Sequence, residues 1–318
     1  MKRPRWTTIS RCRAATPWRR KNRKGLQRFR PEGIRAGTDR PPSKRSGCIY
    51  TEEESKVGRI FAIMSGKGGV GKSTLAVALA QFYARHGKRV VLLDGDIGLR
   101  CADLMLGLQN QVIYDLGDLA EKDCTLEEAL VSPPGLPEMK LLAAPQLLTA
   151  SDLKRGRMGR IITELSDQTD ILLLDAPAGV GRGLKNLLGA AAEPVIVATP
   201  DDVSVRDAER LCSILSQREE PRPVIVFNRV RKKLVRRGEM KSPGQLAAAL
   251  DMPLMGVIPE SPKIYRALLR NEGALQSGDG RVIRAIEVIA ARLLGGDAPM
   301  ETYEKSAMLR FFTRGGEA

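Results

Sequence analysis

Apolar residues in this chain fall into two alternating kinds of run. Short, unbroken stretches of Val, Leu and Ile predict strands over 59–64, 90–93, 139–143, 171–174, 194–198, 224–227 and 254–258. Between them, apolar positions at helical spacing predict helices over 73–86, 126–130, 153–165, 183–191, 203–215 and 244–250, then over 264–270 and 281–294. Strands that do not alternate apolar with polar are buried on both faces, as in a parallel sheet covered by helices. The pattern predicts an α/β fold: a doubly wound, mostly parallel sheet with helices on both faces. Such a sheet presents ligands at the carboxyl ends of its strands.

Charge changes the picture at the N-terminus. The formal net charge is +15 over 318 residues, and residues 1–56 hold 17 Lys/Arg against five acids, a net +12 that leaves only +3 for the rest. This stretch has scattered prolines and too little apolar surface to offset its ordering entropy, so residues 1–57 are expected to be a disordered basic extension. Four readings stay open for it: sequence upstream of a translation start near Val57, a polyanion-binding arm, an Arg-rich organelle transit peptide, or a small folded unit. Nucleic acid is expected as a partner only through this extension, where Trp6 and Trp18 can stack on bases. No apolar run approaches 18 residues and no signal-peptide core follows the basic start, so a cytoplasmic protein is expected. The five cysteines are odd in number and contain no C-x-x-C pair, which speaks against a disulfide framework or a zinc site. His86, the only histidine, falls at a predicted helix end, where a cation is explanation enough.

The candidate chemistry begins where the first strand meets the first helix. Gly66-Lys67-Gly68-Gly69-Val70-Gly71-Lys72-Ser73-Thr74 has the spacing of a phosphate-binding loop, in the strand–loop–helix context that motif requires. Its glycines let backbone N–H groups close around phosphate oxygens, and the helix N-terminus adds partial positive charge. Lys72 suits the β- and γ-phosphates of a nucleoside triphosphate, and the Ser73 hydroxyl suits Mg²⁺. Lys67 is a second lysine that cannot easily fold back onto phosphates held by its own loop. It can instead reach nucleotide held by a facing subunit, as an arginine finger does in trans. A solvated loop lysine is the plainer alternative.

Three further strand ends carry polar groups. Asp94 and Asp96 follow the second strand one residue apart, a spacing that puts both on one face of an extended segment. One can help hold Mg²⁺ and its waters while the other orients an attacking water. Asp175 terminates four aliphatic residues, and a carboxylate there is costly unless ligated, so water-mediated Mg²⁺ is its natural partner. Asn228 follows the strand over 224–227, where an amide can read adenine by paired donor and acceptor or simply form a turn. At the C-terminus, Met308, Leu309, Phe311 and Phe312 cluster on one side of a helix with Arg310 and Arg314 opposite, the pattern of an interfacial membrane helix. A helix docked on its own domain is the alternative. One such helix holds a membrane marginally; two presented together gain through effective concentration.

These segments together resemble the MinD/ParA family of deviant Walker A ATPases, and within it the septum-site branch. The likeness rests on the phosphate loop, on Asp94-Gly95-Asp96-Ile97-Gly98-Leu99-Arg100, Val112-Ile113-Tyr114-Asp115-Leu116 and Asp175-Ala176-Pro177-Ala178-Gly179, and on Ser204-Val205-Arg206-Asp207-Ala208 and Gly256-Val257-Ile258-Pro259-Glu260. It runs from about Gly58 to the C-terminus. The resemblance implies an ATPase domain over 58–296 and a linker with a membrane-targeting helix over 297–318. It implies ATP and Mg²⁺ as cofactors and a homodimer in the ATP state. Lys67 would be the signature lysine, Asp96 the hydrolytic switch acid, Asp175 the Walker B acid and Asn228 part of the adenine pocket. As partners it implies an anionic membrane surface at the inner face of the plasma membrane, a septum inhibitor of the MinC type and a topological regulator. Cys101 departs from the family, which usually has asparagine there. Alternatives are a flagellar-number relative, a ParA-type DNA partition ATPase, and an electron-transfer ATPase with Cys101 and Cys124 as cluster ligands.

Overall fold

The computed structural model describes residues 58–98, 100–146, 155–181, 184, 187, 192–217, 221–301 and 303. Its strands are β1 (Arg59–Met64), β2 (Val90–Asp94), β3 (Leu130–Val131), β4 (Met139–Leu142), β5 (Ile171–Asp175), β6 (Glu193–Ala198), β7 (Val224–Val230) and β8 (Leu254–Pro259). They form one sheet in the order β3-β4-β2-β5-β1-β6-β7-β8. Every neighbouring pair is parallel except β3 with β4. β3 did not show in the apolar pattern because a two-residue edge strand has no period to detect.

The helices are α1 (Lys72–Arg85), α2 (Ala102–Met105), α3 (Leu116–Glu121), α4 (Leu126–Ala129), α5 (Arg155–Gln168), α6 (Asp202–Ser216), α7 (Lys232–Arg237), α8 (Pro243–Ala249), α9 (Pro262–Leu268) and α10 (Gly280–Leu293). A 3₁₀ turn spans Ala274–Gln276. The short α2, α3 and α7 carry too few turns to show periodicity. α3 is set by a capping box in which Asp115 and Asp118 satisfy each other's backbone N–H groups. Of the helix predicted over 183–191, only Leu184 and Leu187 lie among the described residues; both are helical and buried.

Successive residues of each strand feed opposite faces of the sheet. Ala62, Met64, Leu93, Leu172, Leu174, Ile196 and Phe227 join the layer formed with α5, α6 and α8. Phe61, Ile63, Leu92, Leu173, Val195 and Val226 join the layer formed with α1 and α10. Both faces are therefore covered, which accounts for the continuous apolar runs. One boundary differs from expectation. β7 continues through Val230, resuming its pairing with β8 at Val230–Pro259 after a register shift, so Asn228 lies inside the strand and not beyond it.

Candidate nucleotide site

Three adjacent central strands, β2, β5 and β1, deliver the candidate residues to one edge. Parallel register makes Asp94 and Asp175 direct neighbours and sets Ile63, three residues before Gly66 of the phosphate loop, beside Asp175. Backbone hydrogen bonds stitch the three exits together: Ala176 N–H to the Ile63 carbonyl, Gly179 N–H to that of Ser65 (2.8 Å), and Gly95 N–H to that of Asp175 (2.9 Å).

The phosphate loop turns through Gly69 (φ 77°) and Gly71 (φ 97°), both in the left-handed region that favours glycine. Gly71 occupies the N-cap of α1, and no side chain caps that helix; Lys72, Ser73 and Thr74 form its first turn. A Cβ at Gly71 would sit 2.1 Å from Asn228 Nδ2. Asn228 explains this close approach, because its Nδ2 donates to the Val70 carbonyl at 2.8 Å while its Oδ1 accepts from Arg229 N–H at 2.8 Å. The structure thus brings Asn228 to the phosphate loop as a strut whose amide is engaged with backbone at both ends, a contact its expected place after the strand does not foresee. Gly66 is pressed against α6, where a Cβ would meet that of Asp207 at 2.6 Å. Gly68 and Gly69 are exposed and open to solvent, and Val70 is buried.

Lys72 is buried, and its ammonium is the electrostatic centre of the site. Nζ lies 2.7 Å from Asp175 Oδ1, 3.4 Å from Ser73 Oγ and 3.8 Å from Asp96 Oδ2. Burial pushes the Asp175 carboxyl above its ordinary range, against the opposing pull of Lys72 and the Ser73 hydroxyl. Asp94 is raised for the same reason, with the charge of Asp175 adding to it. Asp94 Oδ1 accepts from Asp96 N–H at 3.0 Å and Oδ2 from Ala102 N–H at 3.1 Å. Its observed role is to brace the segment that carries Asp96. Asp96 itself is partly open to solvent, the exposure a water-orienting carboxylate needs.

Asp175 Oδ2 and Ser65 Oγ are buried without a hydrogen-bond partner among the described residues. An orphaned carboxylate oxygen beside a serine hydroxyl at a helix N-terminus is an oxygen donor set suited to a hard cation that keeps several waters. The residues present therefore fit Mg²⁺, with Ser73 and Asp175 as the groups to hold it.

Lys67 differs from Lys72 in every respect. It is exposed and makes no ion pair with a described residue. Its charge helps to hold the Asp201 carboxyl low. Burial there acts upward, but the Thr199 hydroxyl, the Ser204 N–H and Lys67 together outweigh it. Asp201, the N-cap of α6, is a loop neighbour that the motifs do not include, and Asp207, part of the Ser204–Ala208 segment, proves to pack against the loop at Gly66. An Asp three residues before a Ser, opening a helical run, was the available signal for the first. Beyond Asp96, Arg100 adopts a positive φ of 42° and pairs with buried Asp103 at 2.7 Å. Cys101 is half-buried beside them, its thiol raised by burial and by the nearby carboxylates. The membrane-helix candidates Met308, Leu309, Phe311 and Phe312 lie outside the described residues.

A mostly parallel sheet with a phosphate loop after β1, and carboxylates at the ends of β5 beside it and of β2 next to β5, defines a P-loop nucleoside triphosphatase. Residues 56–294 match the family described as ParA, NUBPL iron-transfer P-loop NTPase. The septum site-determining protein MinD of Synechocystis sp. is 36% identical over 242 residues, 76% of this chain and 91% of the relative. A MinC:MinD cell division protein complex from Aquifex aeolicus aligns with TM-score 0.70 and 32% identity over 78% of this chain and 100% of that one. MinD of Pyrococcus horikoshii, complexed with Mg-ADP, aligns with TM-score 0.67 and 25% identity over 75% and 98%. The chain belongs to the MinD/ParA family of P-loop NTPases.

Proposed function

We infer that this protein is a Mg²⁺-dependent ATPase whose nucleotide state controls dimerisation, membrane residence and division-site placement. The observation that carries the reading is the contrast between two lysines of one loop: Lys72 buried among Asp175, Asp96 and Ser73, and Lys67 exposed with no ion pair to a described residue. A triphosphate in the loop offers Lys72 a stronger anionic partner than Asp175. Exchange of that ion pair frees Asp175, whose other oxygen already lacks a donor, to face the metal. The metal, when bound, supplies charge neutralisation at the β- and γ-oxygens. Asp96, braced by Asp94 through the backbone, orients the attacking water. Lys67 then contacts the nucleotide of a second copy, so that nucleotide occupancy and pairing become one event.

Residues 58–296 form the ATPase domain in this reading, residues 1–57 a basic extension, and 297–318 a linker and amphipathic helix. Pairing presents two such helices to the anionic inner face of the plasma membrane from the cytoplasm, and hydrolysis, accelerated by a topological regulator, releases them. The Aquifex complex supports a MinC-type inhibitor as partner, and the Pyrococcus structure supports nucleotide with Mg²⁺. Sedimentation with anionic liposomes tests the coupling: the protein is expected to pellet with ATP and Mg²⁺ and to stay in solution with ADP. Equal pelleting with ATP, ADP and no nucleotide rejects it.

A further inference from the structure

We propose that the exposed side of α7 is a second membrane contact, a basic surface that binds anionic phospholipid headgroups alongside the C-terminal helix. The proposal rests on the reading that the chain works at a bilayer, and it adds a part of the folded body to that work.

The argument starts from charge. Residues 229–241 hold Arg229, Arg231, Lys232, Lys233, Arg236, Arg237 and Lys241 against Glu239 alone, a net +6. All of residues 57–318 carry only +3, so everything in that span outside this segment sums to −3. The segment is the positive pole of an otherwise acidic body. Val235 is buried and Leu234 half-buried, so the helix faces inward along those positions and turns Lys233, Arg236 and Arg237 outward. Some of the cations are already paired: Arg231 with Glu260, Lys232 with Glu301, and Lys241 with Asp202 at 2.7 Å. Arg229, Lys233 and Arg236 are exposed and pair with no described acid. Leaving like charges adjacent and unneutralised is unfavourable for the isolated domain, and an external polyanion relieves it.

The position of the patch selects the lipid surface. Tyr303 is buried in the apolar layer that also holds Val230 and Val235. Lys232 Nζ stands 5.8 Å from the centre of its ring, Lys232 also pairs with Glu301, and Arg292 donates to the Ala298 carbonyl at 3.2 Å. The linker is therefore held to the body beside α7 before the amphipathic stretch begins. Met308 follows Tyr303 by five residues, a reach of at most about 18 Å in any conformation. The apolar residues proposed to enter the bilayer thus start within that distance of Tyr303, which itself lies against Lys232 of the helix that carries the unpaired Lys233 and Arg236. Cations near an anionic leaflet add attraction that apolar insertion alone does not supply.

The test uses the full chain with ATP and Mg²⁺ on phosphatidylcholine vesicles with and without phosphatidylglycerol. It compares the native chain with Lys233→Gln/Arg236→Gln and with a chain ending at Tyr303. Both substituted side chains are exposed, so equal thermal midpoints are expected. The double variant should bind phosphatidylglycerol vesicles about tenfold to thirtyfold more weakly, with a shallower salt dependence, and bind neutral vesicles like the native chain. Equal affinity for the anionic vesicles overturns the proposal. So does unchanged vesicle binding accompanied by lost binding to a short DNA duplex, which would assign the surface to nucleic acid. Native binding that ignores nucleotide, or that survives truncation at Tyr303, defeats the C-terminal anchor reading; a tenfold loss in the double variant then still supports the α7 surface. Absence of native binding to either vesicle overturns both.

Discussion

Removing the Lys72 ammonium would leave Asp175 and Asp96 facing one another without their shared cation. Lys72→Ala is expected to abolish hydrolysis and the thermal stabilisation given by nucleotide, read by a thermal shift with ATP and Mg²⁺. Lys67→Ala should behave in the opposite way. Its side chain is exposed, so monomer stability should stay within about 0.5 kcal/mol and nucleotide binding should persist. The ATP-dependent rise in mass by light scattering should vanish, and hydrolysis should fall about 10³-fold if Lys67 acts across the interface. An undiminished dimer would refute that role. Gly71→Ala meets both a positive φ and the Asn228 amide, so a loss of about 1–3 kcal/mol is expected in chemical denaturation. Adding Asn228→Ala should recover the steric part of that loss but not the part due to φ.

Elements are held in place here by caps that reach between them. Asp279 caps α10 through Arg281 N–H, and its other oxygen accepts from the Ser261 hydroxyl at 2.7 Å; Ser261 is itself the N-cap of α9. Arg281 beside it, with the Ser261 hydroxyl and the Arg281 N–H, holds the Asp279 carboxyl well below its ordinary 3.8, although burial acts the other way. The Arg281 side chain is largely exposed, so the ion pair itself contributes little and the carboxylate's hydrogen bonds to Ser261 and the cap matter more. A carboxyl depressed in the folded state contributes stability that is complete above its unfolded pKa and is lost as pH falls through the folded value. Asp279→Ala should therefore cost about 1–2 kcal/mol at neutral pH and much less at the acid extreme. Urea midpoints measured from pH 7 down to pH 2 check this; a loss that stays constant across that range would count against it.

For the whole molecule, nucleotide and metal should act as one ligand. ATP with Mg²⁺ at about 100 times its dissociation constant should stabilise the fold by about 2.7 kcal/mol, a shift of several degrees in thermal midpoint. Chelation with EDTA should remove hydrolysis while leaving the sheet intact by circular dichroism, because neither apolar layer includes Ser73 or Asp175. Unfolding on chelation would mean that Ser73 and Asp175 hold a structural ion instead. Among the described residues no helix is long and apolar enough to cross a bilayer. Membrane residence through the proposed amphipathic helix should be reversed by salt or by exchange to ADP.

By itself, the amino-acid order determined the strand–helix alternation, the phosphate loop and the carboxylates at strand ends. Continuous apolar runs, glycine spacing and a lone acid after four aliphatics are local patterns, each with a local physical cause. Seven of the strands and the longer helices were legible for that reason. Only the tertiary structure decided which strand ends become neighbours. Strand order set Asp94 against Asp175, and β7, running on to Val230, carried Asn228 under the loop as a strut, where the apolar run alone ends the strand at Phe227. It also decided that Lys72 is buried among acids while Lys67 is exposed, and that Tyr303 ties the linker beside the cations of α7. Such pairings join residues up to 158 positions apart, and no period along a chain encodes them; they follow from the order in which parallel strands pack.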